Sequence, residues 1–136
     1  MKSDEKRIAE RIREFYSIIS GAKNVERNWN GLRALFRNDA RLYINRPNKG
    51  IMDCSSYTVD EYIGRLKEFI QREDFYEFST ENDTKIIMNM CNIINEYEAY
   101  KDAEKKKPIK RGTNIINMIK EEGGWRIVSM VWEDEN

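Results

Sequence analysis

The chemistry open to this sequence is limited first by a residue that it lacks, since none of its 136 residues is histidine. Histidine is the side chain that titrates nearest neutral pH, so its absence excludes Ser/His/Asp and Cys/His nucleophilic sites. Acid–base work then falls to Asp, Glu, Tyr, Lys or Cys, each needing a pKa displaced by burial or by a neighbouring charge. Cys54 and Cys91 lie in different segments and form no CxxC or Cys/His cluster, so no metal site is expected and both read as small apolar residues. No cofactor is expected either. The triple lysine Lys105, Lys106 and Lys107 sits at the tip of a polar loop and reads as solvated charge rather than a site for an anionic partner.

Composition narrows the partners. Lys plus Arg and Asp plus Glu are both 24, so no global field favours nucleic acid or an anionic membrane. Along EKRIAERIREF, from Glu5 to Phe15, the two signs alternate as on a solvated, ion-paired helix face, whereas a nucleic-acid groove needs clustered cations with exposed aromatics. With 40% apolar, 11% aromatic and 35% charged residues, the chain has the means for one packed core, and residues 1–136 are read as a single domain. No run approaches the roughly 18 apolar residues that span a bilayer, and the charged start from Lys2 to Arg7 has no signal-peptide core. A cytoplasmic location is the expectation.

The elements that must position any site follow from periodicity. Ile8, Ile12, Phe15 and Ile19 predict a helix from Ser3 to about Ser20, ended by Gly21. Val25, Trp29, Leu32 and Phe36 predict a second, capped at Asn24 and broken at Asn38 and Asp39. Two short strands are expected at Arg41–Asn45 and Ile51–Cys54. Thr58 with Glu61 is a capping box that starts a third helix, whose buried face holds Val59, Tyr62 or Ile63, Leu66, Phe69 and Ile70, with Tyr57 stapling against Tyr62. Gly64 weakens it by about 1 kcal/mol relative to Ala, a cost that close packing on a neighbour would explain. Beyond Arg72 the period becomes strand-like: Phe75–Glu81, a turn at Asn82 and Asp83, a long strand from Ile86 to Tyr100, and a hairpin from Arg111 to Glu133 that turns at Gly123 and Gly124.

Three helices ahead of most of the sheet, and four last strands with connections too short for parallel crossovers, give an α+β chain with a largely antiparallel sheet. Ile86, Met88, Met90 and Ile94 share one parity and Ile87, Cys91, Ile93 and Tyr97 the other, so both faces need a cover. The helices cover one, and a second copy of the chain is the simplest cover for the other.

WNGLRALFRNDARLY from Trp29 to Tyr43, NEYEAY from Asn95 to Tyr100 and the closing RGTNIINMIKEEGGWRIVSMVWEDE, together with the helix pair, resemble the nuclear transport factor 2-like superfamily, especially its bacterial SnoaL-like branch. The resemblance spans nearly the whole chain. It implies a cone-shaped α+β barrel: a curved antiparallel sheet with three N-terminal-side helices over its concave face, a ligand pocket inside, and homodimers through the outer sheet face. Several enzymes of that family use a pocket carboxylate, often with His or Tyr; no such dyad carries across here, and Asp39 matches a residue that is usually a turn former.

On the cone reading, Trp125, Ile127, Ser129 and Val131 face inward with Asn89, Cys91, Ile93, Asn95 and Tyr97, while Met130 and Trp132 face outward. The candidate ligand contacts are then Glu77, Asn95, Tyr97, Asn114 or Asn117, and Ser129, with Trp29 and Tyr43 capping the mouth. Satisfaction by backbone or water is the plainer reading of the Asn and Ser side chains, and core packing that of the aromatics. Glu77 stands out as a base or anchor because an inward carboxylate in an apolar cone has a raised pKa, with an ion pair to Arg111 as the alternative. The leading expectation is a cytoplasmic homodimer that holds a small apolar molecule. The alternatives are an isomerase, dehydratase or hydrolase of polyketide-like or steroid-like molecules, using Glu77 or Asp53 as base and Tyr97 or Tyr43 as donor, and a protein-interaction subunit that uses the outer sheet face.

Overall fold

The computed structural model describes residues 2–135. Helix α1 spans Asp4–Ile19, starts where the Ser3 side chain accepts from the Lys6 amide, and buries the stripe Ile8, Ile12, Phe15, Tyr16 and Ile19. The second helix is shorter than its periodicity suggests: α2 covers only Trp29–Ala34, with Asn28 as its N-cap. The physical cause lies in Arg27. The residue is 6% exposed and its guanidinium donates to the carbonyls of Ala22 (2.8 Å), Val25 (2.5 Å), Gly21 (3.0 Å) and Ile19 (3.4 Å), so the segment before α2 wraps around a buried cation instead of continuing a helix. Asn24, expected as the cap, has φ 61°, and Val25 is left exposed.

Phe36 and Asp39, expected at the end of that helix, belong to strand β1, Phe36–Asn48, where Asp39 pairs with Arg37 at 3.0 Å. Strand β2, Ile51–Thr58, returns through a two-residue turn in which Lys49 and Gly50 take φ of 53° and 80°, the left-handed geometry that a tight hairpin requires. Helix α3, Val59–Ile70, opens with both halves of the Thr58/Glu61 capping box. Its apolar residues divide: Val59, Ile63 and Ile70 enter the core, while Tyr62, Leu66 and Phe69 form a half-buried stripe beside it. Tyr57 meets the Arg65 guanidinium at 4.8 Å.

Strand β3, Tyr76–Ile87, runs straight through Asn82 and Asp83, and the turn comes at Met88 and Asn89 before β4, Met90–Tyr100. Turn propensity at Asn82 loses to ladder pairing, because its side chain accepts from Asn95 Nδ2 at 2.6 Å while Asp83 pairs with Ile94. The later turn reverses two assignments, so Ile86 lies opposite Cys91 on the inner face and Ile87 opposite Met90 on the outer one. After the loop at 101–107, where Lys105 Nζ lies 4.0 Å over the Phe78 ring, β5 spans Pro108–Glu121 and β6 Gly124–Asp134.

The six strands make one curved sheet in the order β2-β1-β6-β5-β4-β3, antiparallel throughout except for the parallel β1/β6 pair. The helices lie on its concave face over a core that includes Ile12, Phe15, Leu32, Leu42, Ile93, Ile116 and Trp125. No helix among the described residues is long and apolar enough to cross a membrane.

Gly64 does not pack closely against anything: it is exposed, and a Cβ built there meets no atom within 4 Å. Gly64→Ala is therefore expected to raise stability by about 0.5–1 kcal/mol, read as a higher urea midpoint at unchanged slope. An unchanged or lowered midpoint would show that the glycine serves a contact or a motion of α3.

Candidate functional site

Three cross-strand rows on the concave face supply the polar groups of the site. Glu77 lies opposite Ala99, which lies opposite Lys110; Tyr97 is opposite Gly112, and Gly112 opposite Asp134; Asn95 is opposite Asn114, and Asn114 opposite Trp132. Because side chains alternate with a period of two, each row points the same way.

The β6 members of these rows are not those that simple alternation selects. Asn117 pairs with Ser129 but Met118 pairs with Ile127, so Val128 is an extra residue and β6 carries a bulge there. Trp125 and Ile127 face the core as expected, but beyond the bulge the parity inverts. Met130 is 2% exposed and packs inward with Trp132, whereas Val131 is 37% exposed on the outer face. Ser129 is thereby moved outside, where its hydroxyl accepts from Asn117 Nδ2 at 3.1 Å.

Gly112 has a steric task. A Cβ there would overlap the Tyr97 phenol and approach the Glu133 carbonyl to 2.5 Å, so only glycine lets Tyr97 lie across β5. The Tyr97 hydroxyl then donates to Asp134 Oδ1 at 2.5 Å, and Lys110 Nζ stands 3.6 Å from the same carboxylate. Burial, followed by the anionic Asp134 acceptor, pushes the Tyr97 phenol well above its ordinary range.

Deeper in, Tyr16 donates to Asn95 Oδ1, and Asn114 Nδ2 donates to the Tyr16 hydroxyl (2.9 Å) and to Asn95 Oδ1 (3.3 Å). Asn95 Nδ2 donates to Ser79 Oγ (3.0 Å) and Asn82 Oδ1 (2.6 Å). The network closes except at one atom, since Asn114 Oδ1 is buried and no donor reaches it.

Glu77 is held by its backbone, whose amide donates to Ser20 Oγ at 2.9 Å. The residue is 9% exposed, and among the described residues no hydrogen bond or ion pair reaches its carboxylate. Burial pushes its pKa up to about 7, with Asp134 adding to the rise and Lys110 opposing it. Arg111, the partner proposed above, is on the other face and pairs with Glu98 at 2.8 Å.

These groups open onto a cleft of about 330 Å³ between α1, α3 and the sheet. Its apolar wall includes Phe15, Ile19, Tyr62, Leu66, Phe69 and Trp132, and Tyr62 meets Trp132 edge to face at 5.6 Å. Of the residues singled out from sequence, Glu77, Tyr97 and Asn114 line this cleft. Asn95, 0% exposed, lies behind them and is spent on internal hydrogen bonds. Four others are placed elsewhere. Trp29 is a core residue of α2, with Lys67 Nζ 5.7 Å over its ring. Tyr43 lies opposite Val131 on the outer face because Leu42 and Ile44 take the inward parity of β1; Asp53 is exposed on the edge strand, outside the cleft; Ser129 is turned out by the bulge.

Lys110 and Asp134 join the site without having been singled out, and Trp132, expected on the outer face, joins it from the inner one. Trp132 and Asp134 depend on a bulge that no Gly or Pro marks, whereas the Tyr62, Leu66 and Phe69 stripe was visible in the helical spacing. Among the described residues no group of three Cys, Asp or Glu side chains is arranged to hold a metal ion.

No family model matches the sequence, and no curated protein matches it. Solved structures do. A protein of unknown function with a cystatin-like fold from Nostoc punctiforme is 10% identical, with 96% of this chain and 90% of that one covered at a TM-score of 0.73. An NTF2-like protein from Cytophaga hutchinsonii is 11% identical, with 98% and 100% covered at 0.73. An NTF2-like protein with a cystatin-like fold from Novosphingobium aromaticivorans is 10% identical, with 96% and 80% covered at 0.71. Agreement over nearly the full length at such low identity is agreement of chain path, and the path that this sequence follows is the nuclear transport factor 2-like, cystatin-like fold.

Proposed function

We propose that the protein binds a small, largely apolar molecule in the concave cleft, with one polar end of that molecule held by Asn114 and Glu77. The observation that carries this reading is the pair of unengaged acceptors at the cleft floor, Asn114 Oδ1 and the Glu77 carboxylate, beneath an aromatic and aliphatic wall. A buried acceptor without a donor costs about 1–3 kcal/mol, and a ligand hydroxyl or amine recovers that cost on binding. The environment-sensitive probe N-phenyl-1-naphthylamine is expected to bind once per chain with blue-shifted emission. Leu66→Trp, which fills the cleft, should weaken that binding by at least about tenfold; undiminished binding would place the probe elsewhere.

A second reading has a specific observation behind it. With a pKa of about 7, Glu77 is present in both protonation states near neutrality, the condition for a general acid–base group, so an isomerase, dehydratase or hydrolase of the SnoaL-like kind can be built on it. Tyr97, whose hydroxyl is committed to Asp134, serves there to position the floor rather than to donate to substrate. The raised pKa has a thermodynamic signature. Below about pH 4.5 folded and unfolded chains both hold the proton; between there and pH 7 only the folded chain does, so stability falls as pH rises, by up to about 1.4 kcal/mol per unit. Glu77→Gln is expected to remove this slope. Urea unfolding should show little change near pH 4.5 and a gain of roughly 2–3 kcal/mol at pH 8. An equal loss at both values would mean that the carboxylate serves an internal contact.

For the outer face we propose a second copy of the chain as the cover. Ile94, Ile115, Val131 and Tyr43 align across four strands, and the first three are exposed. One adjoining row carries Lys85 and Arg41, the other Glu81, Glu96 and Glu133. A two-fold axis along the apolar row sets each copy's cations against its partner's carboxylates. Sedimentation velocity should give a dimer that Ile115→Lys dissociates. A monomer that associates only with a foreign chain would favour the interaction-subunit reading instead.

A further inference from the structure

Three arginines stand at the mouth of the cleft: Arg46 near the end of β1, Arg65 on α3 and Arg72 just beyond α3. All three are exposed, and among the described residues no carboxylate lies within 4 Å of their guanidinium nitrogens, although Arg33, Arg37 and Arg111 elsewhere on the surface are ion-paired. Arg46 lies opposite Asp53 across the β1/β2 ladder without forming a salt bridge to it. The Arg65 guanidinium carbon lies 4.8 Å from the centre of the Tyr57 ring, a cation–π contact that leaves its N–H groups free to donate.

The acidic residues of the cleft do not cancel this rim. Asp134 is engaged by Lys110 and the Tyr97 hydroxyl, and Glu77 lies at the buried floor. That leaves Glu68 of α3 facing three guanidinium groups. Along the cleft, then, acceptors, Glu77 and the Asp134–Lys110 pair occupy the floor, apolar side chains the wall, and three free guanidinium groups with Glu68 the mouth. An anion is repelled from the floor and held at the mouth, where bidentate guanidinium hydrogen bonds suit an oxyanion.

We infer that the ligand is an amphipathic organic acid, seated with its apolar body against the Tyr62, Leu66, Phe69 and Trp132 wall and its anionic group outward on Arg46, Arg65 and Arg72. This rests on the ligand-binding reading of the same cleft and adds its chemical class and orientation.

Two probes with the same ring system test it: 1-anilinonaphthalene-8-sulfonate, and N-phenyl-1-naphthylamine, which lacks only the sulfonate. In low salt the wild-type protein should bind the sulfonate at least about tenfold more tightly, an advantage that shrinks as salt is added. In the triple variant Arg46→Gln, Arg65→Gln, Arg72→Gln that advantage should disappear, while affinity for the neutral probe stays within about twofold. Leu66→Trp should weaken both. Equal affinities in the wild type, or an advantage that survives the triple variant or the filled cleft, overturns the anionic rim while the cleft remains a binding site. If neither probe binds, the cleft reading fails and this inference fails with it.

Discussion

The two-residue alternation of side chains along a strand, together with its interruption at Val128 on β6, is the constraint on which the site depends. Alternation lets residues from four separate strands meet on one face without contact in sequence. The bulge changes which residues β6 contributes, replacing Ser129 and Val131 by Met130, Trp132 and Asp134. Asp134 then reaches the Tyr97 hydroxyl and Lys110, and Trp132 meets Tyr62 of α3. An uninterrupted strand would have set a carboxylate and an indole on the outer face and a serine over the helices. The bulge at Thr80 on β3 acts alike: Glu77 and Ser79 face the helices before it, and Asn82, Thr84 and Ile86 carry that face onward after it.

Burial of polar groups on the concave side is what separates the cleft floor from ordinary core. Most of these groups satisfy one another, as Tyr16, Asn95, Ser79 and Asn82 do. Gly112 contributes by absence, leaving room for a phenol to cross a strand. Against this background Asn114 Oδ1, which no donor reaches, and the Glu77 carboxylate, which has no hydrogen-bond or ion-pair partner among the described residues, stand out at the floor of the same cleft. Unsatisfied groups in a native interior are few, and one that lines a cavity beside a buried carboxylate marks a place where a ligand donor can bind. Arg27 is a useful contrast, equally buried yet supplied with four carbonyl acceptors, and there the outcome is a fixed loop rather than a binding group.

The two sides of the sheet divide the remaining chemistry. The concave side pairs an acceptor floor with an apolar wall and a cationic mouth, while the convex side exposes Ile94, Ile115 and Val131 between rows of opposite charge. A chain with equal numbers of acidic and basic residues is thus far from uniform in its local fields.

Much of the architecture was readable from local pattern. Helix α1, the capping box of α3 and the β5/β6 hairpin follow from periodicity and backbone freedom, both properties of neighbouring residues, although the turn falls at Glu122 and Gly123, and Gly124 already opens β6. Tyr97 and Asn114 were legible as inward residues because β4 and β5 keep their parity along the stretches that carry them, and Glu77 because it lies ahead of the β3 bulge. What sequence misplaced depended on distant partners. The start of α2 was decided by where the Arg27 guanidinium finds its carbonyls, and the β3/β4 turn by the ladder that draws Asn82 onto Asn95. The parallel pairing of β1 with β6, and the parity of Trp132 and Asp134, came from ladder registry and a bulge without Gly or Pro to announce it. By itself, then, the sequence determined α1, α3, the β5/β6 hairpin and the α+β order of elements, and that histidine chemistry is absent. Only the tertiary structure decided which side chains share the cleft, because a one-residue change of register exchanges the two faces of a strand at little local cost.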